Sequence, residues 1–311
     1  MNQTVKVHLA LTTVAVLYSA NYSIAKSVTP AYILPFGLVG LRVMVGSGLF
    51  WLTHRLTTHR DVLSPDGLPG SNFSRGGHPQ RTVSRRDYYL LFLCGLCGIA
   101  VNQLLFIKGL SLTSPINASL LVTTTPILVF LLSAVVLKER ITGVKAAGLL
   151  LGAGGTVMLL AGKDFSFNSR TLAGDLILLL STVFFGTYLI LVKPLSAKYS
   201  ALTITRWAFV FGLIPVVPFS MGEIGQVDWA AMPLLTWLAL AFIILGATVL
   251  AYLLNNWTLQ YVTPSVVGIY IYLQPLLASL IAVGLGQDSL TPDKVLLGGM
   301  ILLGVYLVGR K

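Results

Sequence analysis

Within the apolar stretches of this 311-residue chain, neutral polar and aromatic side chains recur at spacings that place them on shared helix faces. Tyr18, Asn21 and Tyr22 form one such face. Asn102 and Gln103 are adjacent, with Phe106 on the Asn102 side, and Tyr188 stands in another apolar run. Tyr252, Asn255 and Asn256 gather just before Trp257. Tyr270 and Gln274 are four apart and directly precede Pro275, while Thr123, Thr124 and Thr125 precede Pro126. These groups donate and accept hydrogen bonds and offer aromatic faces, which suits reversible binding of a small amphipathic metabolite. Any single amide or tyrosine has a plainer use, as a hydrogen bond between helices or a member of an interfacial aromatic belt. The whole set, spread over several helices, argues for a site more strongly than any member does.

Arg42 is the one charge well inside an apolar run. It could hold a substrate carboxylate, or pair with helix-end carbonyls and snorkel toward an interface. Pro126 and Pro275 each remove a backbone donor and free a carbonyl one turn earlier. Ligand contact and simple kinking are both open for them, and Arg42, Pro126, Pro275, Glu139 and Arg140 are candidates for bending or gating. Glu139 and Arg140 are expected to cap their helix on the cytoplasmic side.

Other chemistries lack their residues. All ten acidic residues and all four histidines lie in loops or near the ends of apolar runs, so no central proton relay is evident, although Glu139 or Asp175 at a cavity mouth could take part. A lipid-modifying membrane enzyme would want those groups clustered at an interface. Cys94 and Cys97 form a C-x-x-C without a second ligand pair, each followed by a glycine, Gly95 and Gly98, and read as small packing residues. Gly148 and Gly152 make a small-xxx-small surface for close helix contact. The glycine run 152–155 lacks the preceding strand of a dinucleotide fold, and no phosphate-binding G-x-x-x-x-G-K-[ST] occurs. The expectation is no catalytic residue, no metal and no cofactor.

The elements that must position these groups follow from composition. The chain is 55% apolar and 10% charged, against about 25% charged in soluble domains, and its mean hydropathy is +0.84. Disorder and a water-soluble body are both excluded. Ten continuous apolar stretches, about 7–26, 35–54, 88–108, 117–137, 143–162, 172–192, 203–221, 232–254, 263–285 and 294–309, are each near the ~20 residues of a membrane-spanning helix. A membrane β-barrel would alternate in polarity instead. The first stretch reads as a span and not as a cleaved signal, given the nine that follow.

With the N-terminus inside, inner segments carry fourteen basic residues and outer ones five, and Arg206 adds to the inner side. Both termini are therefore expected in the cytoplasm. The net charge of +11 reflects this bias and not nucleic-acid binding. Segment 55–87, basic and rich in Gly, Ser and Pro, reads as a flexible inner loop, with anionic-lipid contact through Arg81, Arg85 and Arg86 as the functional alternative.

The chain also repeats itself. A shift of 149 residues carries Pro115 onto Pro264, Pro126 onto Pro275, Glu139 onto Asp288, Thr142 onto Thr291, Lys145 onto Lys294 and Gly155 onto Gly304, without a gap between 114–160 and 263–309. Lys26 matches Lys193 and Arg42 matches Arg206 at shifts of 167 and 164. Five spans per unit is an odd number, so the second copy enters the membrane upside down. The basic residues of Lys138-Glu139-Arg140 are accordingly gone from Gln287-Asp288-Ser289. Inverted repeats characterise secondary transporters, though duplication also builds channels and scaffolds.

On these residues the chain resembles the drug/metabolite transporter superfamily, specifically its EamA-type ten-helix members. The matching pieces are Tyr18-Ser-Ala-Asn21-Tyr-Ser-Ile-Ala-Lys26, Leu41-Arg42, and Thr124-Thr125-Pro126 running to Lys138-Glu139-Arg140-Ile141. It departs at Tyr18, where the family often has Trp, and in the long 55–87 insertion. The resemblance implies an all-α integral membrane protein with ten transmembrane helices. Two inverted five-helix units, about 8–161 and 172–309, would leave both termini in the cytoplasm and a cavity between them. It also implies transport, with export of amino acids or related compounds favoured over uptake. The bilayer, here a cell membrane of the bacterial inner-membrane kind, and a small molecule are the expected partners.

Overall fold

The computed structural model describes residues 2–62, 83–161, 172–284 and 291–309. Among them all regular structure is helical. Helix α1 (Gln3–Val28) starts on Asn2, whose side chain accepts the Thr4 N–H. Helices α2 (Pro35–Val62) and α3 (Arg85–Leu112) follow, and Ser84 caps α3 by accepting the Asp87 N–H. Helix α4 is made of Pro115–Val122 and Thr125–Val136, opened by Ser114 with Pro115 in its first turn. Then come α5 (Gly143–Ala161), α6 (Leu172–Ser196), α7 (Ala201–Ile224) and α8 (Leu234–Thr258). Helix α9 consists of Pro264–Ile269, a tight 3-10 turn over Tyr270–Tyr272, and Leu273–Gly284. Helix α10 is Pro292–Gly309.

Seven of these, α1, α2, α3, α4, α6, α7 and α8, contain apolar lengths of 18 residues or more and can cross a bilayer. The apolar parts of the other three, Gly143–Leu159, Pro264–Leu280 and Val295–Gly309, are shorter. Polarity is arranged as a bilayer demands: Val135, Leu150 and Leu235 are exposed, while Asn21, Asn102, Gln103, Asn255, Asn256 and Gln274 are buried.

The expected boundaries need three corrections. Helix α2 continues to Val62, beyond the expected 54, because no Gly or Pro interrupts 55–62 and each turn propagates the next. The polar connection is correspondingly shorter, and residues 63–82, including Arg75 and Arg81, lie outside the described residues. Helix α3 begins at Arg85 and not 88, because its start is set by the Ser84 cap and not by hydropathy. The stretches expected as continuous over 117–137 and 263–285 are interrupted, at Thr123–Thr124 and at Tyr270–Tyr272. Pro126 and Pro275 lack the N–H that would carry the helix through. Two further irregularities had no proline to announce them. Gly95–Val101 in α3 and Phe242–Leu250 in α8 are wound as wider π-type turns, with the Asn102 N–H reaching Cys97 O and the Ala251 N–H reaching Gly246 O.

Packing pairs α2 with α7, α4 with α9 and α5 with α10, while α1 lies against α8 and α9 as α6 lies against α3 and α4. The α5–α10 contact is backbone to backbone at glycines: a Cβ added to Gly304 would lie 2.6 Å from Gly148 O and 2.7 Å from Gly152 N. Two lysines tie helix ends. Lys26 Nζ donates to the carbonyls of Leu110, Ser111 and Thr113 at 2.8–2.9 Å, and Lys193 Nζ donates to Leu259 and Val262 at 2.7 and 2.8 Å. Each satisfies orphan carbonyls at a helix C-terminus, where a cation also meets the favourable end of the dipole. The two lysines are the pair matched in sequence, and the ends they cap belong to α3 and α8.

Candidate functional site

Between α1, α2, α3, α4, α6, α8 and α9 lies a cavity, with about 590 Å³ of space between atoms when its opening to the outside is included. Nine sequence candidates line it: Tyr18, Asn21, Tyr22, Arg42, Asn102, Gln103, Thr125, Tyr252 and Gln274. Among the described residues on its wall Arg42 is the sole charge, and none is a carboxylate or an imidazole.

The wall is held by hydrogen bonds between helices. Tyr252 Oη donates to Gly98 O at 2.8 Å and accepts from Gln103 Nε2 at 3.4 Å. The Gly98 carbonyl belongs to the wide turn of α3. Tyr22 Oη donates to Gln274 Oε1 at 2.8 Å, and Ser19 Oγ to the Gln274 carbonyl at 3.1 Å, joining α1 to α9. Asn102 Nδ2 donates to Ser181 O at 3.0 Å, and Asn255 Nδ2 to Tyr18 Oη at 3.4 Å. Arg42 Nε donates to Thr248 Oγ1 at 2.8 Å, and that hydroxyl in turn donates to Ile243 O in the wide turn of α8. Each irregular stretch of helix thus presents backbone or side-chain groups to this wall or to a residue on it.

Other candidates are elsewhere. Tyr188 is fully buried and donates to Asn256 Oδ1 at 2.9 Å, while Asn256 Nδ2 donates to Thr205 Oγ1 at 2.8 Å. Both hold α6, α7 and α8 together away from the wall. Tyr270 lines an adjoining cavity of about 280 Å³, with Tyr18, Phe185, Asn255 and Gln274, and is hydrogen-bonded to His8. Glu139 accepts from Lys145 Nζ (2.7 Å), Thr263 Oγ1 (2.9 Å) and Ser265 Oγ (2.8 Å), which fastens the end of α4 to the start of α9. Arg140 is exposed in the same connection. Asp288, the sequence match of Glu139, lies outside the described residues.

Sequence reading passed over Val122, Ser181, Thr182, Phe185 and Ile271, which complete the wall. The repeat could have found one of them, Phe185, from a nominated residue, and it pairs two others with each other. Val122 and Ile271 are 149 residues apart, as are Thr125 and Gln274, and the same offset joins Gln103 to Tyr252; Phe185 stands 167 after Tyr18. Ser181 and Thr182 are silent in sequence, since polar residues of this kind also turn their hydroxyls to their own helix, as these two do toward Leu178 and Leu179.

Four buried wall atoms have no hydrogen-bond partner in the protein: Asn21 Oδ1, Arg42 Nη1, Gln103 Oε1 and Thr125 Oγ1. Leaving such a group unmade costs roughly 1–3 kcal/mol each. All four belong to residues that line the one cavity.

The EamA-like transporter family matches residues 5–161 and 172–310. The chain belongs to that family. As an EamA protein it is a multi-pass membrane transporter and not an enzyme, with the lipid bilayer and a small molecule as its partners. It is 28% identical over 231 residues to an uncharacterized transporter of Archaeoglobus fulgidus, covering 74% of this chain and 81% of that one. A probable terminal-alkyne amino-acid exporter of Streptantibioticus cattleyicolor is 29% identical over 237 residues, covering 74% and 76%. The Bacillus subtilis uncharacterized transporter YyaM is 26% identical over 231 residues, covering 73% and 74%. A crystal structure of another protein superposes with a TM-score of 0.73 over 97% of this chain and 96% of its own, at 20% identity, a likeness of fold.

Proposed function

We propose that this EamA protein carries a small organic metabolite, an amino acid or related compound, out of the cell by alternating access, with the central cavity as its binding site. The observation that carries the reading is the cavity itself. It is lined from seven helices by neutral polar and aromatic groups, and four of its buried polar atoms lack partners. The relative named as a probable amino-acid exporter favours this substrate class and direction.

In the same reading all ten helices span the membrane as two inverted five-helix repeats, 8–161 and 172–309, with both termini in the cytoplasm. The paired packing of α2 with α7, α4 with α9 and α5 with α10 supports that arrangement. So does the appearance of every irregular feature twice, wide turns in α3 and α8 and proline breaks in α4 and α9. Broken helices at a repeat interface let backbone groups meet a substrate in mid-membrane, and rocking one half against the other exposes the site alternately. The described wall carries no carboxylate or imidazole to take up a proton.

The test is counterflow into proteoliposomes of a labelled amino-acid panel, aromatic and hydroxylated members included, at equal pH on both sides. Saturable exchange of one member establishes carriage and names the class. Flux that does not saturate and shows no counterflow would mark a channel and overturn the reading.

A further inference from the structure

Resting on that reading, the geometry points to a narrower substrate class: we infer that the cavity recognises a zwitterion, with Arg42 taking the carboxylate and the acceptor atoms of Asn21, Gln103 and Thr125 taking the ammonium of an α-amino acid with an apolar side chain. Arg42 is 4% exposed, and no carboxylate among the described residues lies within ion-pair distance of it. Its Nε is spent on Thr248, while Nη1 has no partner. A guanidinium in a membrane interior is costly unless it meets an anion, and its planar fork fits the two oxygens of a carboxylate. Its sequence match, Arg206, is used quite differently, stacked 5.1 and 5.7 Å from the rings of Trp51 and Trp207 and off the cavity. The charge on the wall therefore comes from one half alone.

The complementary end is fixed by hydrogen-bond direction. Tyr252 has one hydroxyl hydrogen, and it goes to Gly98 O. Tyr252 can then only accept from Gln103, so the Gln103 amide nitrogen must face it and Oε1 must be the free atom. Asn21 Oδ1 is a second unpartnered acceptor and Thr125 Oγ1 a third oxygen able to accept. An ammonium brings three donors and no acceptor, which is what these oxygens lack. Phe106, Val122, Phe185 and Ile271 supply the apolar part of the wall.

The experiment measures binding apart from transport. Purified protein in detergent is titrated with leucine, phenylalanine and methionine, each beside its amide, the amine lacking the carboxyl group and the acid lacking the amino group. Binding is read as thermal stabilisation, and counterflow of the same labelled compounds is run in parallel. At least one amino acid should bind about tenfold or more tighter than each of its three analogues, the scale of a lost charge-assisted hydrogen bond. Arg42→Gln should bring amino acid and amide to equal affinity, while Arg42→Lys, which keeps the charge and guards against a folding artefact, should retain the preference with weaker binding. Equal binding of acid and amide by the wild type, a preference that survives Arg42→Gln, or no binding across the series would each overturn the inference. Binding with the expected preference but without counterflow would overturn only the carrier reading.

Discussion

Tyr252 and Asn256 are one turn apart on α8, and both were legible as polar residues in an apolar run, yet they do different work. Tyr252 faces the cavity, whereas Asn256 is buried between Tyr188 and Thr205. Replacing the polar groups of the cavity while keeping its packing should therefore hurt transport with folded protein retained. Asn21→Ala, Tyr252→Phe, which keeps the ring packed on Tyr188 and Phe209, and Gln274→Ala are each expected to lower counterflow by about fivefold or more, the scale of a lost neutral hydrogen bond. Wild-type rates in all three would remove the cavity from consideration. Asn256→Ala should do the reverse, costing about 0.5–2 kcal/mol as judged by interhelical hydrogen bonds in membranes, with the substrate concentration for half-maximal rate unchanged. Sequence could nominate both residues because polar side chains are conspicuous among leucines. It could not separate them, since the rotation of α8 about its own axis decides which one meets the cavity. Arg42 shows the same limit: its charge was plain, but the choice between wall and interface depends on where α2 crosses α8.

At the level of elements, the helices were legible from hydropathy and their breaks only in part. Pro126 and Pro275 marked the interruptions of α4 and α9, whereas the wide turns of α3 and α8 have no residue signature and emerge only from the hydrogen-bond register. Pro275→Ala restores the N–H that Ile271 O would accept and should straighten α9. The expected result is slower counterflow with thermal stability equal to or above wild type, and an unchanged rate would make the break a packing accommodation. The α5–α10 contact makes a different demand. Gly148 was legible as a close-packing residue, and the partner it needs is Gly304, where a side chain would meet backbone atoms that cannot swing aside. Gly304→Val should lower the unfolding temperature by several degrees, while Gly299→Val, where an added Cβ meets nothing within 4 Å, should leave it in place.

Across the whole molecule, the two lysine caps give the proposed topology a sharp form. Lys26 closes the end of α3 and Lys193 the end of α8, the same contact made by matched residues. With an odd number of spans per repeat, those two ends must face opposite sides of the bilayer, α3 ending outside and α8 inside. Aromatic residues divide in the same way. Trp51, Tyr88 and Trp207 cluster where α2 ends and α3 and α7 begin, and Trp257 packs against Tyr261 where α8 ends; Trp229 and Trp237 meet between α7 and α8. In the proposed topology the first two groups fall on the inner side and the last on the outer side, as two interfacial belts would. Four exposed positions test this, each as a single cysteine in a background with Cys94 and Cys97 replaced by alanine: Ser27 and Gln226 outside, Arg140 and Ala197 inside. A membrane-impermeant thiol reagent applied to intact cells should label Ser27→Cys and Gln226→Cys at once, and the other two only after permeabilisation. The opposite pattern would keep the inverted repeat and reverse the orientation drawn from the basic residues. Labelling of Ser27→Cys together with Arg140→Cys would break the repeat, because α4 would then not return the chain to the inner side.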